Sequence, residues 1–340
     1  MSAVAADDMP VRSSGPLLSA SGLEVDFKLP GTSAPLRAVD GVSFEIGRSE
    51  IFGLIGESGS GKSTIARAIM RLTPITSGEV MLGGTRFDRL RGRELRRQRR
   101  RVQMVFQDPH EALDPRMTVR QAIEEPLRAG NRDSRAGLRD RVIDLLHRVD
   151  LDDSYLERKP HTMSGGQKQR VNIARALALE PELLVCDEAV SALDVSVRAG
   201  IINLLIGLQR DLEISVLFIS HDLGVVAHLA DRIGVLYLGR LAEVAPTESL
   251  TARPRHPYAE ALLAAEPEPK PSTHRAPRPP VIKGEAPSAA KPPSGCRFRT
   301  RCRYAQKLCA QEEPPLRRVD HDTLVACHFA EELKLTGRRA

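Results

Sequence analysis

Short apolar runs recur along the chain, and each ends in a polar turn. Ile51–Ile55, Val102–Val105, Leu183–Cys186 and Val216–Ile219 are of this kind. Runs this short, bounded by turn residues, predict strands buried on both faces, as in a parallel sheet. Two segments with better alternation, Leu23–Phe27 and Val42–Ile46, predict half-buried strands joined by a Gly/Pro loop at Pro30–Pro35. Helical spacing follows several of the runs, at Ile65, Ile69 and Leu72 and again at Val171, Ile173, Ala174 and Leu177. Residues Thr118–Val149 predict helix with a break near Gly130-Asn131. Strands alternating with helices predict an α/β fold.

The residues that end the runs carry the chemistry. Ile51–Ile55 turns through Gly56, Glu57, Ser58, Gly59, Ser60 and Gly61 into Lys62, Ser63 and Thr64, a G-x4-G-K-[ST] match between a strand and a helix. Glycines let backbone N–H groups approach phosphate oxygens, and the helix N-terminus adds unpaired N–H groups and partial positive charge. Lys62 is then expected on the β- and γ-phosphates of a nucleoside triphosphate and Ser63 on Mg²⁺. A glycine turn with a surface lysine is the plainer alternative, and the strand and helix around it argue against that.

Leu183–Cys186 ends in Asp187 and Glu188. Carboxylates at the C-terminal edge of a parallel sheet suit Asp187 on a Mg²⁺-bound water and Glu188 as general base, with helix capping as the plain alternative. Gln107, after Val102–Phe106, is a candidate ligand for Mg²⁺ or the attacking water, or simply a turn residue. His221, after Val216–Ser220, could polarise the γ-phosphate or be structural. Ser164, Gly165, Gly166 and Gln167 open a second helix and make a second anion-binding N-terminus, or only an N-cap. One triphosphate does not need two cradles from one subunit, so this one is expected to close over a nucleotide held by another chain. Ser191–Asp194 reads as a tight turn, and Cys186 as a small buried hydrophobe.

Composition narrows the partners. Hydrophobic residues make up 41% of the 340, and no apolar run approaches the ~20 residues of a membrane span. The polar start predicts a disordered segment at residues 1–20. A net charge of +6, from 50 basic and 44 acidic residues, suits an anionic partner without demanding nucleic acid. Nine arginines lie in Arg86–Arg101. They read as a solvated helix face or as a patch for anionic lipid headgroups, with no aromatic interleaving to suggest nucleic acid. The Pro-rich stretch Glu266–Ser294 predicts an extended or disordered linker. Beyond it stand Cys296, Cys302, Cys309 and Cys327, in a segment with little core of its own. Four thiols there suit an iron–sulfur cluster or zinc, or stay metal-free.

In this order and spacing GESGSGKST, VFQDP, MSGGQ, LLVCDE, SALD and ISHD resemble the ATP-binding subunit of an ABC transporter, over about 21–254. The resemblance implies an F1-like P-loop NTPase core, an inserted helical subdomain at about 108–164, and a head-to-tail dimer with two ATPs at its interface. It implies Gly56–Thr64 as the phosphate loop, Gln107 as the Q-loop residue and Ser164–Gln167 as a signature acting in trans. It further implies Asp187 and Glu188 as the Mg²⁺ and base pair, Asp194 as the D-loop residue and His221 as the switch. Ala189 departs from the usual proline, whose loss is expected to loosen that loop. In this family an aromatic near the Pro30–Pro35 loop usually stacks on adenine; none lies between Phe27 and Phe44, so base stacking is expected to fall to Phe27 or Leu36, or to be weak.

The tail RHPY (Arg255–Tyr258) with Ala261-Leu262-Leu263 resembles oligopeptide/dipeptide importer ATPases, nearest the F-type subunit. This implies residues 255–294 as an HPY element and linker, and 295–340 as a small cysteine-cluster domain carrying a [4Fe–4S] cluster, with zinc as the alternative. The implied partners are a second ATP-binding subunit, two transmembrane permease subunits and an extracytoplasmic substrate-binding protein, at the cytoplasmic face of the inner membrane. A soluble ABC-type ATPase acting on nucleic acid or ribosomes is the alternative. A regulatory module without catalysis conflicts with Glu188 and His221. The cargo is not encoded in a subunit that never touches it.

Overall fold

The computed structural model describes residues 15–28, 35–129, 137–266, 284–285 and 287–338. The Pro30–Pro35 loop, the Gly130-Asn131 break and the Glu266–Ser294 linker fall largely or wholly outside them, as do residues 1–14.

The chain enters through β1 (Leu18–Phe27) and β2 (Leu36–Ile46), then runs through β3 (Ile51–Ile55) into helix α1 (Lys62–Ile69). Strands β4 (Ser77–Leu82) and β5 (Thr85–Arg86) follow, then α2 (Gly92–Arg99) and β6 (Val102–Val105). A helical stretch, α3 (Pro109–Ala112), α4 (Val119–Ala129) and α5 (Leu138–Arg148), leads to α6 (Gly165–Leu177). Then come β7 (Leu183–Asp187), α7 (Val195–Leu212), β8 (Ser215–Ser220), α8 (Leu223–Leu229), β9 (Arg232–Tyr237) and β10 (Arg240–Pro246). Helices α9 (Thr247–Ala252), α10 (Pro257–Ala265) and α11 (Leu308–Gln311), then β11 (Arg317–Asp320) and β12 (Thr323–Val325), complete the described elements.

Two sheets result. The larger has the order β11-β12-β10-β9-β3-β8-β7-β6, the smaller β2-β1-β4-β5. Strands β9, β3, β8, β7 and β6 are mutually parallel, so their C-terminal ends share one edge. The period-2 alternation of side chains divides each apolar run between two cores. Ile51, Ile55, Leu184, Cys186, Val216 and Phe218 join the core with α6, α7 and the helical stretch. Phe52, Leu54, Leu183, Val185, Leu217 and Ile219 join the core with α1 and the smaller sheet. Both faces are covered, which is why these runs are apolar throughout.

Some expectations need correction. Disorder over residues 1–20 fails at its end, because Leu17, Leu18 and Ala20 are buried and β1 pairs there with β2 and β4. The flanking serines and Gly22 had disguised the alternation. The cysteine segment is not a separate body, since β12 pairs with β10 and extends the main sheet. Phe298 packs among Tyr237, His256 and Tyr258, with ring centroids 5.2, 5.9 and 5.2 Å away. The segment thus borrows the core of the nucleotide fold. The arginine run is divided: Arg101 pairs with Glu182, Arg86 with Asp88, and Arg99 donates to the Arg71 carbonyl, whereas α2 has no buried residue. Among the described residues no helix is long and apolar enough to cross a membrane.

The joint between sheet and tail is polar. Glu243, in β10, is fully buried and accepts hydrogen bonds from the backbone N–H groups of Arg255 (3.0 Å) and His256 (2.7 Å). Burial raises its pKa from 4.5 to about 7, against the pull of those two donors. The folded chain therefore holds this proton more tightly than the unfolded one. The stabilisation is full below pH 4.5 and is lost as pH rises through about 7. We predict that unfolding free energy relative to Glu243→Gln falls by roughly 2–3 kcal/mol between pH 5 and pH 8. Urea titrations of both proteins at the two pH values check this, and a pH-independent difference contradicts it.

Candidate nucleotide site

The shared edge of the parallel strands gathers the candidate residues. β3 delivers the Gly56–Thr64 loop, β7 delivers Asp187 and Glu188, β8 leads to His221, and β6 leads through Phe106 to Gln107. Register makes this a necessity: Ile55 stands beside Ser220, and Asp187 beside Ile219.

Glycine is required within the loop. A Cβ on Gly56 would lie 2.2 Å from the Leu236 carbonyl oxygen. Gly61 has φ +107°, and a Cβ there would meet the Ala38 carbonyl oxygen at 2.5 Å. Lys62, only 4% exposed, folds back so that Nζ donates to the carbonyls of Gly56 (2.8 Å) and Glu57 (2.9 Å). Burial lowers its pKa, and the charges of Glu188, Asp187 and Glu57 oppose that shift. The Ser63 hydroxyl donates to Asp187 Oδ1 at 2.9 Å. Burial raises the Asp187 pKa, with the Ser63 hydrogen bond and Arg67 and Lys62 acting the other way.

Glu188 sits at the centre of the acid cluster. Gln107 Nε2 donates to its Oε2 at 3.2 Å, and His221 Nδ1 lies 3.5 Å from its Oε1. Its backbone is in the left-handed region, at φ +48°. That strained turn is fastened by Glu188 N–H on the Ile219 carbonyl (3.0 Å) and by the Ser191 N–H and hydroxyl on the Glu188 carbonyl (3.1 and 2.9 Å). Gln169, buried in α6, donates to the Ala189 carbonyl at 2.7 Å. The turn that Ala189 was expected to loosen is therefore held by side-chain hydrogen bonds instead of a proline ring.

Ser164–Gln167 forms an N-terminal capping box on α6: the Ser164 hydroxyl accepts from Gln167 N–H (3.3 Å) and Gln167 Oε1 accepts from Ser164 N–H (3.0 Å). Gln167 Nε2 also donates to the Tyr155 hydroxyl at 2.8 Å. Among the described residues, no hydrogen bond joins Ser164–Gln167 to the Gly56–Thr64 loop of the same chain. Asp194 is exposed at the start of α7, next to Val195, which is 80% exposed. Phe27 and Leu36, the two candidates for base stacking, are direct cross-strand neighbours, and Phe27 is 38% exposed.

Sequence reasoning missed two residues that touch the loop. The Tyr258 hydroxyl accepts from Glu57 N–H at 2.9 Å. Arg301 grips the Glu57 carboxylate at 2.7 and 2.9 Å and donates to the Tyr237 hydroxyl at 3.3 Å. Tyr258 was visible in the RHPY element, but its target was not. Arg301 looked like one more surface charge.

Cys296, Cys302, Cys309 and Cys327 line one cavity, shared with His256, Phe298 and His328. Burial raises the pKa of Cys296, pushes Cys302 up to about 11 and Cys327 up to about 12. Among the described residues no group of three or more His, Cys, Asp or Glu is arranged to hold a metal ion. The geometry by itself does not support zinc, whose four sulfurs would lie about 2.3 Å from one point. The geometry by itself does not carry a [4Fe–4S] cluster either.

A parallel sheet that presents a glycine loop, a buried lysine and paired carboxylates at one edge defines a phosphate-loop nucleotide protein. Residues 39–191 match the family described as ABC transporter, and residues 242–309 match the C-terminal region of oligopeptide/dipeptide transporters. The chain is 49% identical over 312 residues to a putative peptide import ATP-binding protein of Brucella ovis, covering 92% of this chain and 97% of that one. It is 45% identical to the oligopeptide transport ATP-binding protein AppF of Bacillus subtilis, covering 86% of this chain and 90% of the relative. Among solved structures it resembles the ATP-binding cassette MJ0796, a dimer in a post-hydrolysis state bound to ADP and Pi. The TM-score there is 0.62 at 30% identity, over 68% of this chain and 98% of that chain. The chain belongs to the ATP-binding subunit family of ABC transporters, in its oligopeptide/dipeptide branch.

Proposed function

We propose that this chain is the ATP-hydrolysing subunit that powers peptide uptake through an ABC importer. The observation that carries the reading is the meeting of Lys62, Ser63, Asp187, Glu188, Gln107 and His221 at one sheet edge, in a chain with peptide-import relatives. It works at the cytoplasmic face of the inner membrane with a second ATP-binding subunit, two transmembrane permease subunits and an extracytoplasmic substrate-binding protein.

Each residue then has a role. The loop N–H groups and Lys62 take the β- and γ-phosphates, for which Lys62 exchanges its present carbonyl partners. Ser63, Asp187 and Gln107 supply the hard oxygen donors that suit Mg²⁺, which neutralises phosphate charge when bound. Glu188 accepts the proton of the attacking water, with Gln107 and His221 orienting its two oxygens. Ser164 and Asp194, both exposed, act with Gly165–Gln167 on a nucleotide held by a second chain. Supporting this, the Ser164 end of α6 has no hydrogen bond to its own loop among the described residues. Closure on ATP and reopening after hydrolysis then move the permease subunits.

Vesicles carrying the assembled transporter test the reading. With ATP inside, the wild-type assembly should accumulate a peptide mixture, and Glu188→Gln should cut uptake by about 100-fold while ATP still binds. Absence of peptide uptake by the wild type contradicts the cargo, and undiminished uptake by the variant contradicts the base.

The cysteine cavity is a proposed [4Fe–4S] site. What supports it is that four thiols line one space, in a segment with little core of its own. Anaerobically purified full-length chain should contain iron and acid-labile sulfide in near-equal amounts. Zinc in their place, or metal-free protein, contradicts the cluster.

A further inference from the structure

Glu57 is held by three different parts of the molecule. Its N–H goes to Tyr258 of α10, its carbonyl accepts from Lys62, and its carboxylate takes both terminal nitrogens of Arg301. Arg301 lies in the turn between Cys296 and Cys302, far from the loop in sequence. Its side chain is 8% exposed, and its guanidinium lies 5.8 Å from the Tyr237 ring centroid. The other end of the loop leans on the same turn. Ser60 carbonyl accepts from Gly239 N–H at 2.8 Å, and Arg297 reaches Asp40 and the neighbouring Leu238 carbonyl.

We infer that Arg301 is a positioning residue for ATP binding, acting through Glu57. The argument is electrostatic as well as geometric. A carboxylate inside a phosphate loop stands where three to four negative charges arrive, and like charges at close range oppose binding. The two-point guanidinium pair cancels that charge and fixes the side chain away from the cradle. Without Arg301, Glu57 is left as an unpaired anion on a loop whose backbone must aim its N–H groups at phosphate. The tail segment is therefore part of the nucleotide site. This rests on Gly56–Thr64 being the triphosphate loop, and a Lys62→Ala chain that still bound ATP normally would remove that premise separately.

The test is ATP affinity of the full-length chain by calorimetry, with melting temperatures alongside. Arg301→Met should weaken ATP binding by about tenfold, and Arg301→Lys by clearly less, since it keeps the charge but loses the fork. Adding Glu57→Gln to Arg301→Met should restore most of the loss, because the liability is the carboxylate itself. A purely structural arginine predicts no such rescue. The inference is overturned if Arg301→Met binds ATP within about twofold of wild type, or if the double variant is no better than the single. Should Arg301→Met fail to fold, the double variant and Arg301→Lys decide: both folding and binding ATP supports the inference, and a double variant that also fails overturns it.

Discussion

A lysine deprived of water is the constraint on which the rest of this structure depends. Lys62 is nearly buried at the head of α1, and an ammonium there needs oxygen partners or loses its proton. It finds them in the Gly56 and Glu57 carbonyls, and it faces the charges of Asp187 and Glu188. The loop curls tightly enough to supply those carbonyls because Gly56 and Gly61 lack side chains that would strike Leu236 and Ala38. The parallel sheet brings β7 beside β8 and β8 beside β3, so Asp187 faces the lysine from a strand end and Glu188 from the fastened turn after it. An incoming triphosphate offers Lys62 better oxygens than the backbone does. The chain is thus organised around the charge it is to bind.

The same edge shows how the tail is built in. Glu243 holds the turn before α10 through two backbone N–H groups, and that turn fixes Tyr258 against the loop. Phe298 packs against both Tyr237 and Tyr258, which sets Arg301 over Glu57. β12 then ties the tail to β10. A segment too small for a core of its own gains stability by sharing one, and the contact lands on the phosphate loop.

Much of this was legible in the sequence, and the reasons are local. The glycine loop, the Asp187-Glu188 pair, Gln107 and His221 each end a short apolar run, and a run end in a parallel sheet is a position at the ligand edge. The residues Ser164–Gln167 carried their own capping signature. What was not legible depends on contacts between residues far apart in the chain. β1 reaches back to Leu18 because Ile46 and Leu82 lie opposite it, a pairing that no local pattern announces. β9 and β10 were unmarked, and β11 and β12 are short and half polar, so they register as strands only against the β10 edge. Arg301 gave no signal as an arginine near cysteines; its meaning comes from Glu57, 244 residues earlier. The four cysteines line one cavity, as a shared site requires, but their spacing alone does not establish the metal that was expected there.

The loop of this chain and the Ser164–Gln167 turn of another are proposed to enclose one triphosphate. A cryo-electron microscopy or crystal structure of the Glu188→Gln chain with its partner ATP-binding subunit and Mg²⁺-ATP tests it most directly. The account predicts a head-to-tail pair, with the γ-phosphate between Lys62 of this chain and the partner's signature turn. It also predicts Ser164 of this chain against the partner's nucleotide. ATP bound at the Gly56–Thr64 loop with both signature turns left facing solvent, or ATP bound elsewhere on the chain, would contradict it.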